Sequence, residues 1–216
     1  KTTSLFAFTL VFTAGMAFGQ DNDASIEQAG DDAEATITQT GNLNEASIDQ
    51  FDANDSYEAS VLQNGEENVA NIFQDGGNQK RSTIEQVGDR NEATVNVEGG
   101  GAIDLPDASD IYQTGNDNEA EINASLITNG DSEIHQVGND NEAFVRALDG
   151  GVADITQNGD DNFAEIDSGF FSTGSTASVT QNGDFSSGTI FQGSPGNDAT
   201  ITQTGNNLDA TITQDL

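Results

Sequence analysis

The sequence predicts an all-β fold: a β-solenoid of about 8.5 two-strand coils, 17 short strands forming two facing parallel sheets, with amyloid-like stacking. Three observations predict it. A triplet of small residue, branched aliphatic and Gln recurs at alternate positions, a glycine-marked turn recurs at constant spacing, and only 33% of the 216 residues are hydrophobic. With aromatics at 6%, a broad apolar core is excluded, so the backbone and a narrow interior must hold the chain together.

The chain opens on Lys1 and an apolar run from Leu5 to Phe18, closed by small residues before Gln20. This reads as a signal peptide over residues 1–20, followed by one repeat domain over residues 21–216. The run is short for a membrane span and polar residues 20–23 follow at once. The mature chain is therefore expected outside the cytoplasm, where the absence of Cys leaves it without disulfide staples.

The strands come next. Seventeen segments share the frame A-x-I-x-Q, centred on Ile26, Ile37, Ile48, Val61, Ile72, Ile84, Val95, Ile111, Ile122, Ile134, Val145, Ile155, Ile166, Val179, Ile190, Ile201 and Ile212. The residue two before each centre is Ala in 13 copies, Ser in three and Gly in one. The residue two after is Gln in 13: Gln28, Gln39, Gln50, Gln63, Gln74, Gln86, Gln113, Gln136, Gln157, Gln181, Gln192, Gln203 and Gln214. An i, i+2, i+4 face exists only on a β-strand, and the interleaved residues are mostly polar. The branched aliphatics are thus the predicted core, and stacked Gln amides bond from coil to coil, which relieves the cost of burying them.

The turns alternate in kind. Each centre in the series Ile37, Val61, Ile84, Ile111, Ile134, Ile155, Val179 and Ile201 lies 11 residues before the next centre. The other eight steps run 11, 13, 12, 16, 12, 10, 13 and 11, so one edge is uniform and the other accepts insertions. One such insertion, GGGAIDLPD from Gly99, reads as a loop on the variable edge. The uniform turn follows Q-x-G-x-x-N-x-A, with Gly41, Gly65, Gly88, Gly115, Gly138, Gly159, Gly183 and Gly205 in its third place. Glycine supplies backbone angles that a Cβ forbids, and the Asn is expected to bond its own turn or adopt a left-handed conformation.

One coil buries too little to stand alone, so stacking within and between chains must stabilise it. The first and last strands carry no evident cap, and an open parallel edge is a template for a further copy, giving a head-to-tail fibre. Seventeen is odd, so a seamless continuation relates successive copies by roughly half a turn.

The motif from Gln39 to Gln50, repeated from Gln63 to Gln74, resembles the curlin repeat of curli, the bacterial functional amyloid fibres, and the likeness runs over Ala24 to Gln214. The resemblance implies a secreted structural subunit of extracellular, cell-surface fibres, or fimbria, that serve biofilm matrix and cell adhesion. The implied partners are further copies, a nucleator subunit and an outer-membrane export machinery. It also implies a structural ladder pairing Gln39 with Asn44, Gln63 with Asn68, Gln86 with Asn91, Gln113 with Asn118, Gln136 with Asn141 and Gln157 with Asn162. A minor nucleator subunit is the alternative within the family. A monomeric adhesin or ice-binding solenoid is the alternative outside it, the latter because outward Thr pairs stand at Thr36 with Thr38, Thr200 with Thr202 and Thr211 with Thr213.

Charge narrows the partners further. A formal net charge of −33 disfavours nucleic acid and anionic membranes. Acidic turns such as GNDN and GDDN would attract divalent cations non-specifically, without the G-G-x-G-x-D signature of calcium β-rolls. No enzyme is expected, and no cofactor or dedicated metal: the lone His135 takes an outward strand position, and carboxylate pairs arise by chance on so acidic a surface. Lys80 and Arg81 read as a solvated basic pair in a turn.

Overall fold

In a computed structural model the described residues are 13–14, 21–30, 32–53, 57–77, 79–99, 107–125, 130–148, 151–169 and 174–214. Apart from Thr13 and Ala14, the segment expected to be a signal peptide lies outside them, as does most of the insertion after Gly99.

The alternating triplets become strands. In chain order these are β1 (Thr13–Ala14), β2 (Asp23–Gly30), β3 (Ala33–Thr40), β4 (Glu45–Ala53), β5 (Tyr57–Asn64) and β6 (Val69–Asp75), then β7 (Lys80–Val87), β8 (Glu92–Glu98), β9 (Asp107–Thr114), β10 (Glu119–Ser125), β11 (Asp131–Val137) and β12 (Glu142–Leu148). The last six are β13 (Val152–Asn158), β14 (Phe163–Ser168), β15 (Thr176–Asn182), β16 (Ser187–Gln192), β17 (Asp198–Thr204) and β18 (Asp209–Gln214). At six to nine residues, the 17 repeat strands are longer than the alternating triplet itself, because residues flanking it also join the ladder.

The strands form two parallel nine-stranded sheets, as the sequence predicted. The Ile26 sheet stacks β2 through every even strand to β18, and the Ile37 sheet stacks β1 and then β3 through every odd strand to β17. Stacking is in register: Ile122 lies between Val95 and Val145, and Ile134 between Ile111 and Ile155. Equivalent residues form columns along the stack. The extra element β1 pairs Thr13 with Thr36 and Ala14 with Ile37, at the outer edge of β3.

Period-2 burial follows from this. In β7, Lys80, Ser82, Ile84 and Gln86 are buried while the residues between them are not. Branched aliphatics from Ile48 to Ile190 are almost wholly buried, each worth about 1.5–3 kcal/mol of transfer energy. At the ends this fails: Ile26, Ile212 and Ala210 are only partly covered, because β2 and β18 each have one neighbour.

Candidate assembly ladders

The Gln column of the Ile37 sheet is continuous. Gln39 Nε2 donates to Gln63 Oε1 at 2.9 Å, and so on through Gln86, Gln113, Gln136, Gln157 and Gln181 to Gln203, no step exceeding 3.0 Å. Every amide donates toward the C-terminal end of the stack, so the column has a polarity. Each Nε2 also reaches backbone carbonyls of the facing sheet; Gln39 donates to Asp23 O at 2.8 Å and Asn44 O at 3.1 Å. Because those carbonyls lie at the start of β2 and just before β4, β3 lies half a step between the two strands.

The Ile26 sheet has an interrupted column. Gln28 donates to Gln50 and Gln50 to Gln74, at 2.7 and 2.8 Å, and Gln192 donates to Gln214 at 3.1 Å. Between them stand Val97, Ala124, Ala147 and Ser168. Where the column breaks, Gln74 Nε2 turns across the interior to Ser82 Oγ at 2.8 Å, and Ser168 Oγ donates to Gln192 Oε1 at 3.4 Å. Serines near each break keep the orphaned amides satisfied.

The Asn column lines the uniform edge and runs the opposite way. Asn118 Nδ2 donates to Asn91 Oδ1 at 2.9 Å, toward the N-terminal end, and to Gly138 O at 2.8 Å, toward the C-terminal end. One amide therefore ties three coils together. Asn44, Asn68, Asn91, Asn141 and Asn162 repeat the arrangement, and each backbone N–H in the column also donates to the preceding Asn Oδ1. The column begins one member earlier than the sequence reading placed it, at Asn22, which accepts from Asn44. Its position four before Ile26 matches that of Asn44 before Ile48, so extending the frame would have found it. Toward the C-terminal end Ser186 Oγ and Leu208 take the place of Asn.

One expectation for these turns is corrected. The column Asn bonds across coils; only Asn44 also reaches its own turn, to Thr40 O at 3.3 Å. The left-handed residue is the one before it: Leu43, Glu67, Arg90, Asp117, Asp140, Asp161, Phe185 and Asn207, all at φ between 54° and 58°. Gly and this residue together turn the chain, although only the Gly is constant in type. Acids in the turns also bond across coils. Asp89, Asp160 and Asp184 use a carboxylate oxygen to accept the N–H of Glu66, Asn139 and Asp160 in the preceding coil, at 2.8–3.0 Å. Asn116, Asn139 and Asn206 do the same with their amide oxygens. Among the described residues no group of three or more acids, His or Cys is arranged to hold a metal ion.

Close stacking explains the glycines. A Cβ on Gly115 would stand 1.9 Å from Gly138 O, and the same conflict recurs from Gly41 to Gly183. Lys80 is a further correction. It is not solvated but 1% exposed, with Nζ donating to Asp75 O at 2.6 Å and Val97 O at 2.9 Å and lying 5.7 Å from the Tyr57 ring centre. Its inward phase, four before Ile84, decides this; the variable edge leaves room there for two large side chains. Arg81 does point outward, paired with Asp110 at 2.8 Å.

Register also stacks like charges. Glu92, Glu119 and Glu142 are neighbours in one column, and partial burial, then Glu142 and Glu92, raise the Glu119 pKa above the usual carboxylate range. Burial, then Glu133 and Asp131, do the same to Asp154. His135 is outward and half-exposed beside Tyr112, ring centres 6.3 Å apart. Thr36 with Thr38 and Thr200 with Thr202 sit near the ends of the Ile37 sheet, where the same columns carry Asp110 with Tyr112 and Glu133 with His135 between them, while Thr211 with Thr213 lies on the other sheet. That interrupts any flat hydroxyl array.

A parallel two-sheet solenoid whose interior is threaded by amide columns defines a structural repeat protein. Three stretches match the curlin associated repeat, at residues 19–51, 30–57 and 183–215, a likeness to the curlin repeat family. That family consists of structural subunits of extracellular amyloid fibres, and the repeats and solenoid fold fit a curli-like structural subunit. Neither the curated proteins nor the solved structures contain a significant match to the chain.

Proposed function

We propose that the chain, freed of residues 1–20, is a secreted subunit of a curli-like amyloid fibre, polymerising head to tail by strand stacking at the cell surface, in biofilm matrix and adhesion. One observation carries the reading. The described stack ends on strands whose inward residues are already arranged as the next rung requires: Ala210, Ile212 and Gln214 keep the spacing of every interior strand yet stay half-exposed. An added copy would bury them and extend both the backbone ladder and the amide columns. Under this reading the partners are further copies, a nucleating subunit and an outer-membrane export channel. Under this reading the role is structural.

Incubating purified residues 21–216 and following thioflavin fluorescence with electron microscopy tests it. Unbranched fibres with a rise in fluorescence are expected. A chain that stays monomeric and protease-sensitive overturns the reading.

A further inference from the structure

The polymer reading leaves open how successive copies are turned about the fibre axis, and the terminal coils carry enough detail to decide it. Because each strand lies half a step above its predecessor in the facing sheet, β18 closes the repeat stack on the Ile26 sheet, the sheet on which β2 opened it. The next vacant half-step is on the Ile37 sheet, above β17. We propose that a second copy enters there after half a turn, seating its β2 on β17 and its β3 on β18, so that its Ile26 sheet continues the first copy's Ile37 sheet. A copy added by translation alone would seat β2 on β18 and leave one strand position empty between β17 and β3.

Three features of this chain fit the half turn. The first is length. A half turn superposes the variable edge of one copy on the uniform edge of the other, which requires equal steps; the variable edge has the uniform 11-residue step only in the first and last coils, from Ile26 to Ile37 and from Ile190 to Ile201. Those two turns also share the uniform geometry. Asp32 and Gly196 each lie four residues after a column Gln, with φ of 57° and 71°, as Leu43 and Asn207 do on the uniform edge. Gln192 Nε2 donates to Asn197 O, five residues on, as Gln39 does to Asn44 O.

The second feature is the Asn column. Asn22 opens it, and its rule is a backbone N–H donating to a side-chain oxygen one coil below. After a half turn Asn22 stands over Asn197, whose own N–H already donates to Ser175 Oγ at 3.2 Å in the same manner. After a pure translation it stands over Leu208, which has no acceptor in its side chain.

The third is the Gln polarity. Gln203 Nε2 donates to Ser187 O and Leu208 O, the counterparts of Val69 O and Asn91 O for Gln86, but lacks the forward Gln bond that Gln86 makes to Gln113. The half turn places the next copy's Gln28 Oε1 in that position, and its Gln39 Oε1 over Gln214. That the edge of β3 accepts a strand is visible directly: Thr13 and Ala14 pair there with Thr36 and Ile37, where the half turn would put Thr211 and Ile212. Removing the first 20 residues clears the seat.

Paired cysteines read the joint, since the chain has none of its own. Ser25, Thr200 and Thr211 are outward and exposed, so their substitution leaves the interior untouched. In the half turn Ser25 of one copy lies beside Thr200 of the next, roughly 5 Å between Cα atoms and within disulfide reach. In the translation it lies beside Thr211. Residues 21–216 carrying S25C with T200C, or S25C with T211C, are assembled under reductant, oxidised, and run on a denaturing gel without reductant. A ladder of covalent multimers from the first pair alone is expected. A ladder from the second pair, or fibres without a ladder from either, overturns the half turn while leaving the polymer reading standing. If the unsubstituted chain forms no fibre, the polymer reading fails and takes the joint with it.

Discussion

The two edges of the stack solve the same problem, reversing the chain between sheets, by opposite means. On the uniform edge each turn is fitted to the turns above and below it: glycine backbones touch, Asn amides each join three coils, and a left-handed residue recurs at one place. On the variable edge the turns differ in length, and local inventions fill the space, such as Lys80 packed under Tyr57. The difference teaches that repetition is required only where backbone meets backbone. Where side chains intervene, the coil tolerates insertions without losing register, as the unbroken Ile columns on both sides show.

The sharpest way to break this comparison is to add one methyl group on each edge. Gly115→Ala puts a Cβ into the Gly138 carbonyl at a φ of +120°, and the loss is expected to reach about 4 kcal/mol or more, since neither backbone can retreat without moving its own neighbours. Gly196→Ala, on the variable edge, meets no atom within 4 Å and carries only the strain of φ +71°, about 1 kcal/mol. Denaturant midpoints of the two variants measure the contrast, and equal losses would show that the uniform edge is not the tighter one.

Removing an amide comes next in size. Asn118→Ala leaves Gly138 O and the Asn141 N–H without their partner in the middle of the stack, an expected loss of about 2–3 kcal/mol. Ser175→Ala removes two longer bonds on the variable edge, one accepted from the Asn197 N–H and one donated to Ser194 O, both at 3.2 Å, and should cost about 1 kcal/mol. Hydrogen exchange refines the test: the Asn118 substitution is expected to raise exchange in the coils on both sides, whereas the Ser175 substitution acts locally.

Lys80→Met probes what the variable edge contains. The substitution keeps an apolar stem but withdraws Nζ from two buried carbonyls, so a loss of about 1–2 kcal/mol is expected in thermal unfolding. A solvated lysine would cost less than about 0.5 kcal/mol.

That lysine also marks the limit of what the sequence discloses. Period-2 repetition made the Ile and Gln columns legible, because a strand offers only two faces and 17 copies agree on which one is buried. The same phase places Lys80 inside, yet a charged residue at a turn boundary reads as solvated until the width of the variable edge is known. The left-handed position was hidden for another reason. Leu43, Arg90 and Phe185 share with Asp117, Asp140, Asp161 and Asn207 a backbone conformation imposed by the stacked turns, so residue type carries only part of the signal. Asn22 was legible in principle and lay outside the window in which the frame was applied.

Uniformity has a cost of its own, because a repeated turn also repeats its charges. Glu119 follows the Asn118 turn directly and stands between Glu92 and Glu142, and partial burial first, then these neighbours, raise its pKa. A carboxyl whose folded pKa is raised favours the folded state when protonated. Its contribution is therefore fully present below the ordinary carboxylate pKa and is lost as pH rises through the raised value. Glu119→Gln removes this dependence. The variant is expected to match the parent chain in acid and to exceed it at neutral pH by roughly 0.5 kcal/mol, a small figure because the side chain is largely exposed and screened. Added salt should narrow the gap at neutral pH and leave the acid limit unchanged. If the variant is instead less stable at neutral pH, the acidic column is held by bonds that outweigh its repulsion, and the uniform edge carries no electrostatic penalty for repeating itself.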